Sequence, residues 1–228
     1  MRIRWYGQSA FLISGAETSV FIDPFGDMNA WVGSRGLQFD YPPIDGVTAD
    51  LVLVTHEHRD HNAVEAIDGT PVVLRSIAGT LASPVGEVVA VASEHDDVAG
   101  TRAGLNTIFR FTLDGLRLCH FGDFGQSALR PEQREAIGEV DVLLLPVGDG
   151  PTIGGERAAA VVRALRPRLV VPHHYRTEAV NFLEPPDAFL EALGARVERL
   201  DEPELEVDQY LGTAEEPTVA LPAFPTRG

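Results

Sequence analysis

Lysine is missing from this chain: all 18 basic residues are arginine, against 34 aspartates and glutamates, for a formal charge of −16. So acidic a surface repels polyanions at long range, and no basic segment offsets it. Sequence-independent binding to DNA, RNA or anionic lipid is therefore disfavoured. Cysteine is almost absent too. The single Cys119 excludes an internal disulfide and a cysteine-rich structural zinc site, so any bound metal must be held by histidine and carboxylate. Long apolar runs are also lacking. Stretches such as Val88 to Ala92 and Val142 to Val147 fall far short of the roughly 20 residues that a membrane helix needs. Met1-Arg2-Ile3-Arg4 is basic, but Gly7-Gln8-Ser9 breaks the apolar run and no small-residue cleavage site follows. The expectation is a chain with no signal peptide, acting in the cytoplasm.

What remains is an ordinary globular balance: 228 residues, 44% hydrophobic and 23% charged, enough for one well-buried core. Ile3 to Tyr6, Ala10 to Ile13 and Thr18 to Ile22 read as a β-meander ending in Asp23-Pro24. Residues 24–46 are rich in Gly, Pro and aromatics without a clear period, and read either as a lid or substrate wall or as a surface loop pinned by its aromatics. Strands are expected at Leu51 to Val54, Val72 to Leu74, Glu87 to Ala92, Thr107 to Leu113 and Leu116 to His120. Further strands are expected at Val142 to Leu145, Leu169 to Val171 and Arg196 to Leu200. Helices are expected near Ala63 to Ile67, Ile77 to Leu81, Glu132 to Ile137, Gly155 to Leu165 and Pro186 to Leu193. The sum is a β-rich sandwich with helices outside. It forms one domain over residues 1–212, with 213–228 as an irregular, Pro-containing tail whose Val219, Leu221 and Phe224 are placed to dock on a neighbour.

Histidine is where the chain is unusual. Thr55-His56-Glu57-His58-Arg59-Asp60-His61 places four potential metal ligands, His56, His58, Asp60 and His61, within six positions, directly after Leu51-Val52-Leu53-Val54. A short β-rich run ending in Thr-His is the expected end of a buried strand, and open α/β sheets place their sites on the loops leaving such ends. Other histidines and one aspartate repeat the placement. His95 follows Val88 to Ala92, Asp123 follows Leu116 to Phe121 through Gly122, and His174 follows Leu169 to Val171 through Pro172. If these strands point the same way, five imidazoles and two carboxylates converge on one cleft. Such a donor set suits zinc, and manganese or iron as well. His120 is expected to be a satisfied core histidine and His173 a neighbour of the ligands. Arg59 and Arg176 flank ligand segments, where a guanidinium meets either an anionic substrate group or a nearby acid. Tyr175 reads as packing or as an electrophilic donor. Gly148 to Gly155 matches neither a Walker loop nor a dinucleotide fingerprint and reads as a cleft-rim loop before a helix.

His-x-His-x-Asp-His followed in order by His, Asp and His resembles the signature of the metallo-β-lactamase-fold hydrolases. Trp5-Tyr6-Gly7-Gln8-Ser9-Ala10-Phe11, Ile22-Asp23-Pro24-Phe25, Gly122-Asp123 and Val171-Pro172-His173-His174-Tyr175 resemble the branch containing ascorbate-6-phosphate lactonase and related hydrolases. The resemblance spans about residues 1–200. It implies an α+β fold, an αββα four-layer sandwich of two mixed sheets flanked by helices. It also implies two divalent metal ions, zinc first and manganese or iron as alternatives. Carried onto this sequence, it assigns His56, His58 and His95 to one metal, Asp60, His61 and His174 to the second, and Asp123 to a bridge. Asp60 would also orient the attacking hydroxide, and Asp23 would support the ligand loop rather than merely cap a strand. The chain departs from that branch at Gln8, where His is usual, and at Phe124, where a small hydroxylated residue is usual.

The function so implied is a dinuclear metal-dependent hydrolase using a metal-bridging hydroxide on a small ester, lactone or phosphoester. Arg59, Tyr175 and Arg176 are the candidate substrate contacts. A mononuclear iron dioxygenase or a thioester hydrolase of the same fold is a related reading. From other classes come a metal-stabilised binding or scaffold protein without turnover and a same-fold nuclease, the latter opposed by the acidic charge. Partners are expected to be small molecules, with no nucleic acid and no membrane, and a homo-oligomer is left open.

Overall fold

Short runs of aliphatic, β-branched and aromatic residues separated by turn residues make the chain open as a meander. In the computed structural model, which describes residues 1–33 and 35–226, β1 (Arg2–Gly7), β2 (Ala10–Ser14) and β3 (Ser19–Ile22) pair antiparallel in succession. A long excursion carries the short helix α1 (Asn29–Gly33) and the two-residue β4 (Val47–Thr48) before β5 (Leu51–Val54) returns parallel to β3. β6 (Ile67–Asp68) pairs with β4, and β7 (Val72–Arg75) runs parallel to β5. The second half begins with hairpins joining β8 (Gly79–Ser83), β9 (Gly86–Glu94), β10 (Leu105–Leu113) and β11 (Leu116–His120). Helix α2 (Pro131–Ile137) leads to β12 (Val142–Pro146), and helix α3 (Gly155–Leu165) to β13 (Leu169–His173), each strand added parallel. Helix α4 (Asp187–Leu193), β14 (Arg196–Arg199), β15 (Glu204–Glu206) and β16 (Thr218–Leu221) complete the chain.

Among the described residues two large mixed sheets result, ordered β15-β1-β2-β3-β5-β7 and β14-β16-β13-β12-β11-β10-β9-β8. Strand periodicity explains how they stack. In β5 all four residues are buried, yet Leu51 and Leu53 belong to the core shared with the second sheet. Val52 and Val54 join a separate cluster on the opposite face. β3 divides likewise, with Val20 and Ile22 on one side and Phe21 on the other. Phe109, Phe111 and Leu118 from the second sheet meet Phe11, Ile13 and Trp5 from the first in the shared core. The second sheet's other face is covered by α3, whose Ala158, Ala159, Val161, Val162 and Leu165 are buried. Arg166 ends that helix in the left-handed conformation, just before Pro167 prevents its continuation. The fold is an α+β layered sandwich.

Four expectations change. Residues 77–81 are not helical: Gly79–Ser83 is the strand β8, in a hairpin with β9. Gly79 sits at φ +127, outside the helical region, and the cross-strand partner that decides the matter lies later in the chain. The helix near residues 63–67 is a single 3-10 turn, Val64–Ala66. The outer cover of the first sheet is largely irregular rather than helical. Phe25, Met28, Phe39, Tyr41 and Ile44 from the 24–46 segment bury themselves there with Ala179, Val180 and Leu183. Finally, the segment 213–228 is not wholly irregular, because Thr218–Leu221 forms β16, fully buried between β13 and β14 in the second sheet. A boundary at residue 212 would remove an interior strand of the second sheet.

Asp141 pins the start of β12 to its neighbours. Its carboxylate accepts from the Arg117 backbone N–H (2.9 Å), Nε (2.7 Å) and Nη2 (2.9 Å), and its carbonyl accepts from Leu169 N–H (3.0 Å). Hydrogen bonds from Arg117 hold the carboxyl below its ordinary range. Asp141→Asn should therefore cost about 1.5–3 kcal/mol near neutral pH, measured by denaturant unfolding. A depressed folded-state pKa gives stability that is present above the unfolded value of about 3.9 and is lost as pH falls through the folded one. The gap between parent and variant should accordingly close in acid; a gap that stays constant with pH contradicts this assignment.

Candidate metal centre

Strand direction brings the site together. β9 and β11 both run antiparallel to β10, and β13 runs parallel to β11 through β12, so His95, Asp123 and His174 follow strands pointing one way in the second sheet. The His56 to His61 loop leaves β5 in the first sheet, and Thr55 carbonyl accepts from Thr107 N–H at 2.9 Å, joining the sheets beside it. Gly122 makes the approach possible. It stands at φ +53, and a Cβ there would lie 2.7 Å from the Thr55 side chain.

All seven predicted ligands meet. Ligand atoms of His56, His58 and His95 lie within 4.8 Å of one another, as do those of Asp60, His61 and His174, and those of His56, His61 and Asp123. Asp123 stands between the groups. Its Oδ2 is 3.1 Å from His174 Nε2, 3.2 Å from His61 Nε2 and from His95 Nε2, and 3.9 Å from His56 Nε2. His58 is the most exposed of the imidazoles and Asp60 is partly open, while the other five are buried.

Outer hydrogen bonds aim the rings. Asp23 accepts from Thr55 N–H (2.8 Å), Thr55 Oγ–H (2.8 Å) and His61 Nδ1 (2.9 Å). A carboxylate only accepts, so the Thr55 proton goes to Asp23 and Thr55 Oγ1 in turn accepts from His56 Nδ1 at 3.0 Å. His95 Nδ1 donates to the Pro151 carbonyl at 3.0 Å. Three imidazoles thus spend their Nδ1 protons outward and present Nε2 to the centre, the arrangement that metal-binding histidines adopt. His61 Nε2 is buried without a hydrogen-bond partner.

The charge balance points the same way. Burial works to raise the Asp123 carboxyl, but His174 and His61 outweigh it and hold it well below the carboxylate range. Asp60 is likewise held low, chiefly by His61 against the effect of burial. Burial alone would lower His61, yet Asp123, Asp60 and Asp23 drive it well above an ordinary imidazole. His56, which lacks such close carboxylates, is pushed well down by burial and by His61. The centre therefore favours positive charge, which a metal ion among these donors would supply.

Of the remaining candidates, Asp23 sits behind His61 as described. Arg59 is exposed and makes no hydrogen bond or ion pair among the described residues. Arg176 is engaged elsewhere, its Nε donating to Leu183 O at 2.5 Å and its Nη2 3.7 Å from Glu184. Tyr175 is buried with its ring 5.3 Å from that of Trp5, and burial holds its hydroxyl proton tightly. His120 is the expected core residue, with Nδ1 accepting from Gly122 N–H and Nε2 donating to Ser9 O. His173 stacks on His120 at 4.7 Å and meets Ser9 Oγ at 3.2 Å.

Three residues escaped the sequence reading. Ser9 Oγ donates to Asp123 Oδ1 at 3.2 Å, and Asn106 Oδ1 accepts from Asp123 N–H at 3.0 Å. Glu57 clamps the histidine loop through Arg75, Ser76 and Asn62, and Arg75 pulls its carboxyl down to about 2. Ser9 lies within the Trp5 to Phe11 motif, which marks its position but not its role; Asn106 and Glu57 act through partners that the local sequence does not announce.

Comparison with known proteins identifies the family. A family model described as the beta-lactamase superfamily domain matches residues 2–174. A metal-dependent hydrolase of Thermococcus kodakarensis is 30% identical over 224 residues, covering 87% of this chain and 94% of that one. Another from Thermus thermophilus is 32% identical over 210 residues, covering 78% and 84%. Among solved structures, a Thermotoga maritima protein of the metallo-beta-lactamase superfamily, taken to be a zinc-dependent hydrolase, superposes with a TM-score of 0.75. It is 29% identical and covers 96% of this chain and 97% of its own.

Asp23→Ala should leave Thr55 N–H and His61 Nδ1 unsatisfied in a dry site. A loss of about 2–5 kcal/mol is expected in denaturant unfolding, together with a 10- to 100-fold fall in metal affinity. Unchanged stability and unchanged affinity together would contradict the anchoring role.

Proposed function

The chain belongs to the metallo-β-lactamase superfamily and is a metal-dependent hydrolase, and we propose that it works with two divalent metal ions on a small ester, lactone or phosphoester. His56, His58 and His95 would hold one ion, Asp60, His61 and His174 the other, with Asp123 between them. The observation that carries this reading is the position of Asp123 Oδ2, within 3.2 Å of nitrogens from both groups. Nitrogen and oxygen donors without sulfur suit zinc, with manganese and iron as alternatives. When bound, such ions lower the pKa of water toward neutrality and stabilise developing negative charge on the substrate.

The chain's own residues supply the rest. Asp60, held ionised and partly open, is placed to accept a proton from, and so orient, an attacking water. Ser9 and Asn106 fix Asp123, and Asp23 with Thr55 fixes His61 and His56, so these three donors are held in place. Arg59, exposed within the ligand loop and unpaired among the described residues, is the candidate contact for an anionic group on the substrate. Tyr175 and Arg176 are engaged in packing and in local bonds, and are weaker candidates for that role.

Protein purified without added metal should contain close to two equivalents by elemental analysis. It should hydrolyse at least one member of a panel of lactones, phosphomonoesters, phosphodiesters, thioesters and β-lactams. His58→Ala and Asp60→Ala should each lower turnover by about 100-fold or more while keeping the parent's circular dichroism. Metal-free protein with full activity, or variants as active as the parent, would sink the mechanism.

A further inference from the structure

Gln8 occupies an improbable position. It lies in the turn between β1 and β2, fully buried and at φ +49, a left-handed conformation that side chains other than glycine seldom adopt. Its neighbour Gly7 is at φ +111, with the Tyr41 ring packed where a side chain would be. The turn is fixed from several sides. Gln8 carbonyl accepts from Trp5 Nε1 at 3.0 Å and from the backbone N–H of His174 at 3.2 Å.

Among the described residues the side chain makes one bond. Gln8 Nε2 donates to Asp60 Oδ2 at 3.2 Å, while Oε1 is buried and has no partner. A carboxylate can only accept, so the amide must present its nitrogen to Asp60, which leaves the oxygen unsatisfied. A glutamine needed only for packing or for turn stability gains nothing from that arrangement, and an apolar side chain would avoid the orphan oxygen. What the residue does achieve is contact with two members of one ligand group, Asp60 through its side chain and His174 through its backbone. It makes no bond to His56, His58 or His95.

We propose that Gln8 is the positioning residue of the Asp60, His61 and His174 metal position, orienting Asp60 through its amide N–H and so setting the affinity of that position independently of the other. The inference rests on the dinuclear reading above. Asp60 is the ligand that needs such help. Unlike the buried imidazoles, it is partly exposed, and a carboxylate left without an outer donor is free to rotate away.

The test is a Zn²⁺ titration of the full chain, stripped of metal by chelation, against a chromophoric competitor. The parent should take up two equivalents. In Gln8→Leu one equivalent should weaken by about 10- to 100-fold and the other should not change. Gln8→His, whose imidazole N–H can donate to the same oxygen in a left-handed turn, should retain both. In an Asp60→Ala background, Gln8→Leu should have no further effect. If the parent binds two equivalents and Gln8→Leu binds them as tightly, the positioning role is wrong although the dinuclear reading stands. If Gln8→Leu weakens both equivalents alike and lowers the thermal midpoint, the residue is structural and the proposal also fails. A parent that binds fewer than two equivalents defeats the reading beneath it.

Discussion

A carboxylate with almost no access to water cannot stand alone, and Asp123 is such a carboxylate, surrounded by nitrogens of His56, His61, His95 and His174. An isolated buried charge is so costly that its compensation constrains everything near it. The neighbouring imidazoles answer it by turning Nε2 inward, and each turned ring then needs an acceptor on its outer face. Asp23, Thr55 and the Pro151 carbonyl meet that need for His61, His56 and His95, while His174 Nδ1 is buried without a partner among the described residues. The polar shell around the site follows from one negative charge placed where two sheets meet.

The sheets in turn are arranged to keep that charge in place. β5 is buried on both faces, so its end cannot drift, and the loop beginning at Thr55 inherits that rigidity. Bonds from Thr107 to Thr55 and from His174 to Gln8 tie the sheets together at the level of the site. The 24–46 segment, which lacks regular structure over most of its described length, buries Phe25, Phe39 and Tyr41 against the outer face of the first sheet. Phe25, Phe39 and Tyr41 pack within about 6 Å of one another there, where aromatic rings attract edge to face. Of the two sequence readings of that segment, pinning by its own aromatics is what the packing favours.

The ligands were legible because they obey local rules. Each follows an apolar run ending at the same edge, and periodicity alone finds such runs in β5, β9, β11 and β13. Helix α3 was equally plain, bounded by glycines before it and by Pro167 after it. β8 and β16 were not legible, because their pairing depends on partners that the local sequence does not announce: β8 forms a hairpin with β9 around Pro84, and β16 inserts between strands formed earlier in the chain. Ser9 and Gln8 lie in a motif that the sequence shows, Gln8 as a departure from it, but their roles were hidden for a related reason. A turn residue gains its role from what the fold brings opposite it, here Asp123 and Asp60, which lie 114 and 52 positions away.

The central claim is that Asp123 is shared between two metal positions. Anomalous diffraction from crystals of metal-loaded protein, recorded on either side of the zinc absorption edge, tests it most directly. Two peaks are expected, one bounded by His56, His58 and His95 and one by Asp60, His61 and His174, with Asp123 touching both. A single peak, or peaks away from Asp123, would contradict the account.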